Sequence, residues 1–404
     1  MGVTELNKGN VSDSISSLND HIVFLAAIFC FWFSTYIYIP TFGIYMERTG
    51  LSYTAIGIIL GSYGISQVLL RLPLGILSNS LEKLKKWLLF IGMFLAFLSG
   101  IILVYFDSFV FILVARLLAG ITASMWVIAT ILYADYFKKS RASQAMSILQ
   151  LMTVATQFLS MILCGILVDH FGWDLPFWLG AISAFIGCLL VLKIKVVKLD
   201  EIVNADSIVL TLKKTFTLKR LKMVTFLSLI AHAILFITIF GFSPIYAVHI
   251  GIKESANIWL MCAFFVPHMV ASLYLSFFKV DPKHNYRIMI YSFSVVAVFL
   301  FLIPFSNSLL TLSVLHMVIG LMLGFIFPIL LGEVVILSPS ELKLASMGFY
   351  QSFYAIGIFV GPMIAGRIAE KMGLNEVFMF TATLSFIGLL ILWYTRRRTS
   401  NEVS

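Results

Sequence analysis

Apolar runs of about twenty residues, nearly free of charge, recur along the whole chain. No other feature narrows its possible folds so far. Residues 88–105, LLFIGMFLAFLSGIILVY, contain no charged side chain at all. At about 1.5 Å of rise per residue, a helix of ~20 residues crosses the ~30 Å hydrocarbon core of a bilayer. In that core no water satisfies the backbone, so only helices or closed barrels can span it. A barrel would show shorter segments of about ten alternating residues. The runs here are continuous, so the fold class is all-α integral membrane. Composition agrees: 60% of the 404 residues are hydrophobic and 12% charged, against about half and about a quarter in soluble domains.

The runs predict twelve transmembrane helices. Six lie near 21–46, 54–77, 87–105, 109–134, 145–168 and 175–195, and six near 223–249, 257–278, 288–305, 309–333, 345–366 and 376–395. The divisions are a tail (1–20), a six-helix bundle (21–195), a basic linker (196–222), a second bundle (223–395) and a tail (396–404). The first twenty residues are polar and carry no cleavage-site pattern, so no removable signal peptide is expected. Cys30, Cys164, Cys188 and Cys262 all fall inside apolar runs without metal-type spacing and are read as small core residues.

The two bundles are copies. GILVDHFGWDLPFWLGA, from Gly165 to Ala181, returns as GRIAEKMGLNEVFMFTA, from Gly366 to Ala382, at an offset of 201. Gly172 then meets Gly373 and Phe177 meets Phe378, while Gln150/Gln351 and Phe158/Phe359 keep the register upstream. A gapless repeat of half the chain implies two like-folded halves in the same order.

The net charge of +9 is not a nucleic-acid signal, because the basic residues sit in short loops. With the N-terminus placed inside, twenty-two Lys and Arg fall on the inner side. Four (Arg48, Lys253, Arg367, Lys371) fall outside, and Arg71 and Arg116 lie within helices. By the positive-inside rule both termini are expected in the cytoplasm, with the chain in the cytoplasmic membrane.

Along essentially its whole length the sequence resembles the major facilitator superfamily. Arg116-Leu-Leu-Ala-Gly120 is similar to the family's RxxxG motif on helix 4. LPLGILSNSLEKLKK after helix 2 resembles its signature loop, with Gly75 and Leu77 in place and Asn79 where an acid is usual. Gly357-Ile-Phe-Val-Gly361-Pro362-Met-Ile-Ala-Gly366 looks like the exporters' antiporter motif, but on helix 11 instead of helix 5. The resemblance implies two bundles related by an axis along the membrane normal, a substrate site between them, alternating access and a monomer that needs no cofactor.

None of the nineteen Asp and Glu falls mid-membrane by these boundaries, whereas two arginines do. An unpaired intramembrane charge costs several kcal/mol at the least and is functional by default. Arg116 is therefore expected to bind substrate or couple protons; the competing reading is a tie from helix 4 to neighbouring carbonyls. Its counterpart at an offset of 200 is His316. With His232 and His268 it could carry protons where carboxylates are missing, or simply bond neutral between helices. Arg71, Gly75 and Asn79 are expected at an inner gate, and Gly361 and Pro362 at a close helix contact or hinge. Trp32, Tyr36, Trp126, Gln150 and Gln351 are candidates to line the cavity.

The reading that follows is a secondary transporter of a small organic solute, most like the drug and metabolite exporters and exchanging with protons, with anionic or zwitterionic solutes favoured. An importer or facilitator of the same fold is the alternative. An enzyme or sensor is disfavoured by the lack of HExxH, a phosphate loop, paired intramembrane acids and any output module.

Overall fold

The computed structural model describes residues 16–77, 81–137, 142–197, 208–277, 284–339 and 342–401. Twelve helices are long and apolar enough to cross a membrane. They are α1 (Leu18–Arg48), α2 (Tyr53–Ile76), α3 (Lys85–Tyr105), α4 (Phe109–Ala134), α5 (Ile148–Phe171), α6 (Asp174–Lys193), α7 (Lys219–His249), α8 (Glu254–Leu275), α9 (Asn285–Phe305), α10 (Leu309–Leu337), α11 (Ala345–Lys371) and α12 (Leu374–Thr395). Among the described residues there is no β-strand element. The expected helices are all present, with small differences at their ends. Helical structure runs back to Ala142 before α5 and on to Asn401 after α12, and part of the basic linker forms a further helix, Ile208–Thr217. Polar residues at an apolar helix's end can continue it where water covers the backbone, so hydropathy underestimates its length.

The starts of α1, α2 and α10 are fixed by serine side chains that satisfy otherwise orphaned amides. Ser17 accepts from the Asp20 amide at 3.3 Å while the Asp20 carboxylate accepts from the Ser17 amide at 2.9 Å. Ser308 and Thr311 form the same reciprocal pair at the start of α10.

The repeat is visible in the backbone. The glycines with left-handed φ form two repeat pairs: Gly50 (83°) with Gly251 (86°), and Gly172 (89°) with Gly373 (115°). Each lets the chain reverse between helices where a Cβ would be strained. α1 breaks between Tyr36 and Ile39, and α7 carries a π-turn over Thr238–Phe242 at the repeat-related depth. In both, a proline (Pro40, Pro244) opens the following segment, where its missing N–H costs nothing. Tyr45 meets Phe177 edge-on at 5.1 Å, and Tyr246 meets Phe378 at 5.0 Å.

Packing follows the same rule. In the first half α1 packs on α5 and α6, α4 on α2 and α3, and α3 on α6; in the second α7 packs on α11 and α12, α10 on α8 and α9, and α9 on α12. The halves meet through α1–α7, α2–α11 and α5–α8, a set that maps onto itself when the halves are exchanged. The two flanking seams are unequal. α2 and α11 pack along their length, from Gly57 against Gly366 at one end to Gly75 against Gly348 at the other. α5 meets α8 where Gly165 faces Ile258, and these two helices are the least buried of the twelve.

Candidate functional site

A chain of aromatic contacts circles the interior and draws on both halves. It begins at Trp126 of α4, 5.1 Å from Trp32 of α1, which lies one turn from Tyr36 at 5.6 Å. Tyr36 touches Phe240 of α7 at 5.7 Å, Phe240 touches Phe265 of α8 at 5.7 Å, and Phe265 touches His268 at 6.2 Å. His268 meets Phe327 of α10 at 5.8 Å, which meets His232 of α7 at 4.6 Å. His232 lies flat on Tyr354 of α11, with centroids 3.8 Å apart and planes 3° from parallel. Arg71 of α2 closes the circle. Its guanidinium sits 5.2 Å from the Tyr354 ring, donates to the Tyr354 hydroxyl, and donates at 3.3 Å to the carbonyl of Ala123, one turn before Trp126. Helical spacing builds each arc, since residues four apart share a face (Trp32/Tyr36, Tyr350/Tyr354, His232/Phe236/Phe240).

The ring mixes apolar side chains with polar and charged ones. Trp126, His232, His268, Phe327 and Tyr354 retain partial exposure, while Arg71 is only 3% exposed. The Arg71 Nε has no hydrogen-bond partner, and no carboxylate pairs with Arg71 among the described residues. The acids nearest the interior are engaged at helix ends. Asp135 lies 4.0 Å from Lys85, and Glu333 accepts from Asn285 at 2.9 Å.

Tyr36 and Phe240 also wall a cavity of about 10 Å³ that Arg116 lines, together with Tyr63 of α2 and Phe236. Arg116 is 1% exposed. Its guanidinium lies 4.5 Å from the Tyr63 ring and 5.4 Å from the Phe42 ring, and donates at 3.3 Å to the Tyr38 hydroxyl. Its Nε has no partner.

His316 lies outside the ring. It is fully buried, with Nδ1 2.9 Å from the Leu312 carbonyl and Nε2 2.8 Å from the Ser243 hydroxyl. A carbonyl can only accept, so Nδ1 carries the proton, and in the neutral ring Nε2 accepts from Ser243. This is the neutral interhelical tie, between α10 and α7. Ser243 is the repeat partner of Phe42, the ring beside Arg116, so the equivalence of Arg116 and His316 is positional although their chemistry differs. His232 likewise donates from Nδ1 to the Ser228 carbonyl at 2.8 Å, and among the described residues no hydrogen bond engages its Nε2.

The two glutamines part company: Gln351 is buried, with its Oε1 unpartnered, while Gln150 is exposed on α5. Gly75 is buried where α2 meets α11, and Asn79 lies outside the described residues. Gly361 and Gly357 face Ala233 and Leu229 of α7, and the Pro362 carbonyl faces Gly57 of α2. At that end the halves are also joined by an ion pair, Arg48 to Glu254 at 2.7 Å, and by the Glu370 carboxylate accepting from the Thr54 amide at 3.4 Å.

Sequence reasoning missed Tyr63, Tyr354, Phe240, Phe265 and Phe327. Tyr63, Gln67 and Arg71 stand at i, i+4 and i+8 of α2, a stripe that would have pointed to Tyr63. For the phenylalanines no such signal exists, because the chain has thirty-seven of them.

Comparison with known families matches the sequence to the Major Facilitator Superfamily over residues 24–343 and again over residues 224–404. An uncharacterised MFS-type transporter of Methanocaldococcus jannaschii is 23% identical over 376 residues, covering 89% of this chain and 95% of that protein. The multidrug resistance protein MdtG of Proteus mirabilis is 27% identical over 160 residues, covering 39% of this chain and 40% of that one. The solved structure of the nucleoside transporter NupG matches with a TM-score of 0.71 at 18% identity, covering 93% of this chain and 99% of that one.

Proposed function

Because this chain belongs to the Major Facilitator Superfamily and is a multi-pass membrane transporter, we propose that its cargo is a small organic anion or zwitterion with an apolar, aromatic body. The cargo binds within the aromatic ring and leaves the cell in exchange for protons. The observation that carries this reading is Arg71, a buried cation set into the ring with an open Nε and no carboxylate beside it among the described residues. An anionic group reaching Arg71 gains a charge-assisted hydrogen bond of about 1.5–3 kcal/mol. The faces of Trp32 and Trp126 take up a flat apolar body or, at about 0.5–2 kcal/mol, an ammonium group.

The excess of basic loops favours placing both termini in the cytoplasm. The end bearing Arg48 and Glu254 then faces outward, and the Arg48–Glu254 pair joins the halves on that side. The partial similarity to a multidrug resistance protein supports export. His232 is the proton carrier we favour over His316, because it touches Tyr354 and Arg71 lies against the same ring.

The test is substrate-induced proton movement in everted vesicles, with a panel of organic anions, zwitterions and cations. An anion-dependent proton signal, reduced about tenfold or more by Arg71→Gln and by Tyr354→Phe to a lesser degree, is the expected result. A cation-only signal that is indifferent to Arg71→Gln would refute the assignment, and downhill solute flux without protons would make the chain a facilitator.

A further inference from the structure

Arg116 poses a problem separate from which solute is carried. An arginine side chain does not deprotonate in a protein, so this residue keeps a full charge at 1% exposure. Burying such a charge without compensation costs several kcal/mol. Two ring faces and one hydroxyl bond of 3.3 Å engage a group with five N–H donors, and Nε is left open. No carboxylate pairs with it among the described residues.

The cavity against it has about 10 Å³, close to the space one water needs. An organic carboxylate has at least three heavy atoms and a body behind them, and cannot enter without displacing Tyr36 or Phe240. Water fits but brings no charge. A monatomic anion brings a full charge in a single atom somewhat wider than water, and so asks the least movement of Tyr36 and Phe240.

We propose that Arg116 holds a single chloride ion in this cavity, between α4, α1, α2 and α7. The ion neutralises the guanidinium at the centre of the protein, where both halves meet, and so ties the core's integrity to halide. The proposal is independent of the transport reading, and its test has no flux readout.

The experiment is thermal unfolding of the purified full chain in detergent, with sodium chloride or sodium bromide titrated against sodium gluconate at constant ionic strength. The expected result is a saturable rise in Tm with either halide and none with gluconate. That rise should vanish in Arg116→Gln and persist in Arg71→Gln. Should Arg116→Gln fail to fold, bromide-soaked crystals of the unaltered protein decide the matter, through a single anomalous peak beside the Arg116 guanidinium. Identical unfolding of the wild type in halide and gluconate, a halide response that survives Arg116→Gln, or bromide crystals without that peak would each overturn the proposal. So would stabilisation by organic carboxylates with no response to halide.

Discussion

Adding one methyl group at Gly61 should loosen the longest seam between the two halves. A Cβ there would stand 2.3 Å from the Phe359 carbonyl oxygen and 3.1 Å from Met363 Cγ. The side chain of Met363 can turn away, but the carbonyl belongs to the backbone of α11. Ordinary carbon–oxygen contact needs about 1 Å more, so α2 and α11 must separate by about that amount, and close packing is what holds membrane helices together. Overpacking of this kind costs about 1–3 kcal/mol. The assay is reaction of a thiol-specific fluorophore during heating, since Cys30, Cys164 and Cys188 are buried and become reactive only as the fold opens. Gly332→Ala on α10 is the control: nothing lies within 4 Å of its built Cβ, and replacing a mid-helix glycine by alanine gains about 0.5–1 kcal/mol. The two changes add the same atoms and should move Tm in opposite directions. If Gly61→Ala were as stable as wild type, the seam would not be packed as described.

Two further outcomes are expected. His316→Phe should lower stability by about 1–3 kcal/mol, because it leaves the buried Ser243 hydroxyl without its histidine partner, and Ser243→Ala made on top of it should cost little more; a thermal-shift cycle of the four proteins measures this. Breaking the partly exposed Arg48–Glu254 pair with Glu254→Gln should cost at most about 1 kcal/mol, shifting the balance between inward- and outward-open states by up to about fivefold. The shift should shrink in high salt, and accessibility of an engineered cysteine in the ring, read at low and high ionic strength, follows it.

How much of this was available from residues alone differs from element to element. Hydropathy located the helices because a bilayer imposes a length and an apolarity on every segment that crosses it, and both are local properties. The repeat at 201 anticipated the paired glycine turns and the twin Tyr–Phe contacts, because two similar stretches meet the same local constraints and fold alike. An offset of 200, one residue short of the repeat, placed His316 opposite Arg116. Equivalent position did not bring equivalent role: Phe42 became Ser243, and a hydroxyl there turned the histidine into a neutral tie.

The sequence by itself thus determined twelve spans, two like halves and two cations without internal carboxylates. Tertiary structure decided which of those groups share a site. Arg71 reaches Tyr354 across 283 positions of chain, and His232 joins them while His316 does not. Gln150 and Gln351 occupy matching positions, yet one is exposed and the other buried, because α11 is packed along α2 whereas α5 lies against α8 far less extensively. Helices that are apolar on most faces carry little local information about which face meets which neighbour. That choice is made by side-chain volume and glycine contacts between segments distant in sequence, and it became visible only once the halves were assembled.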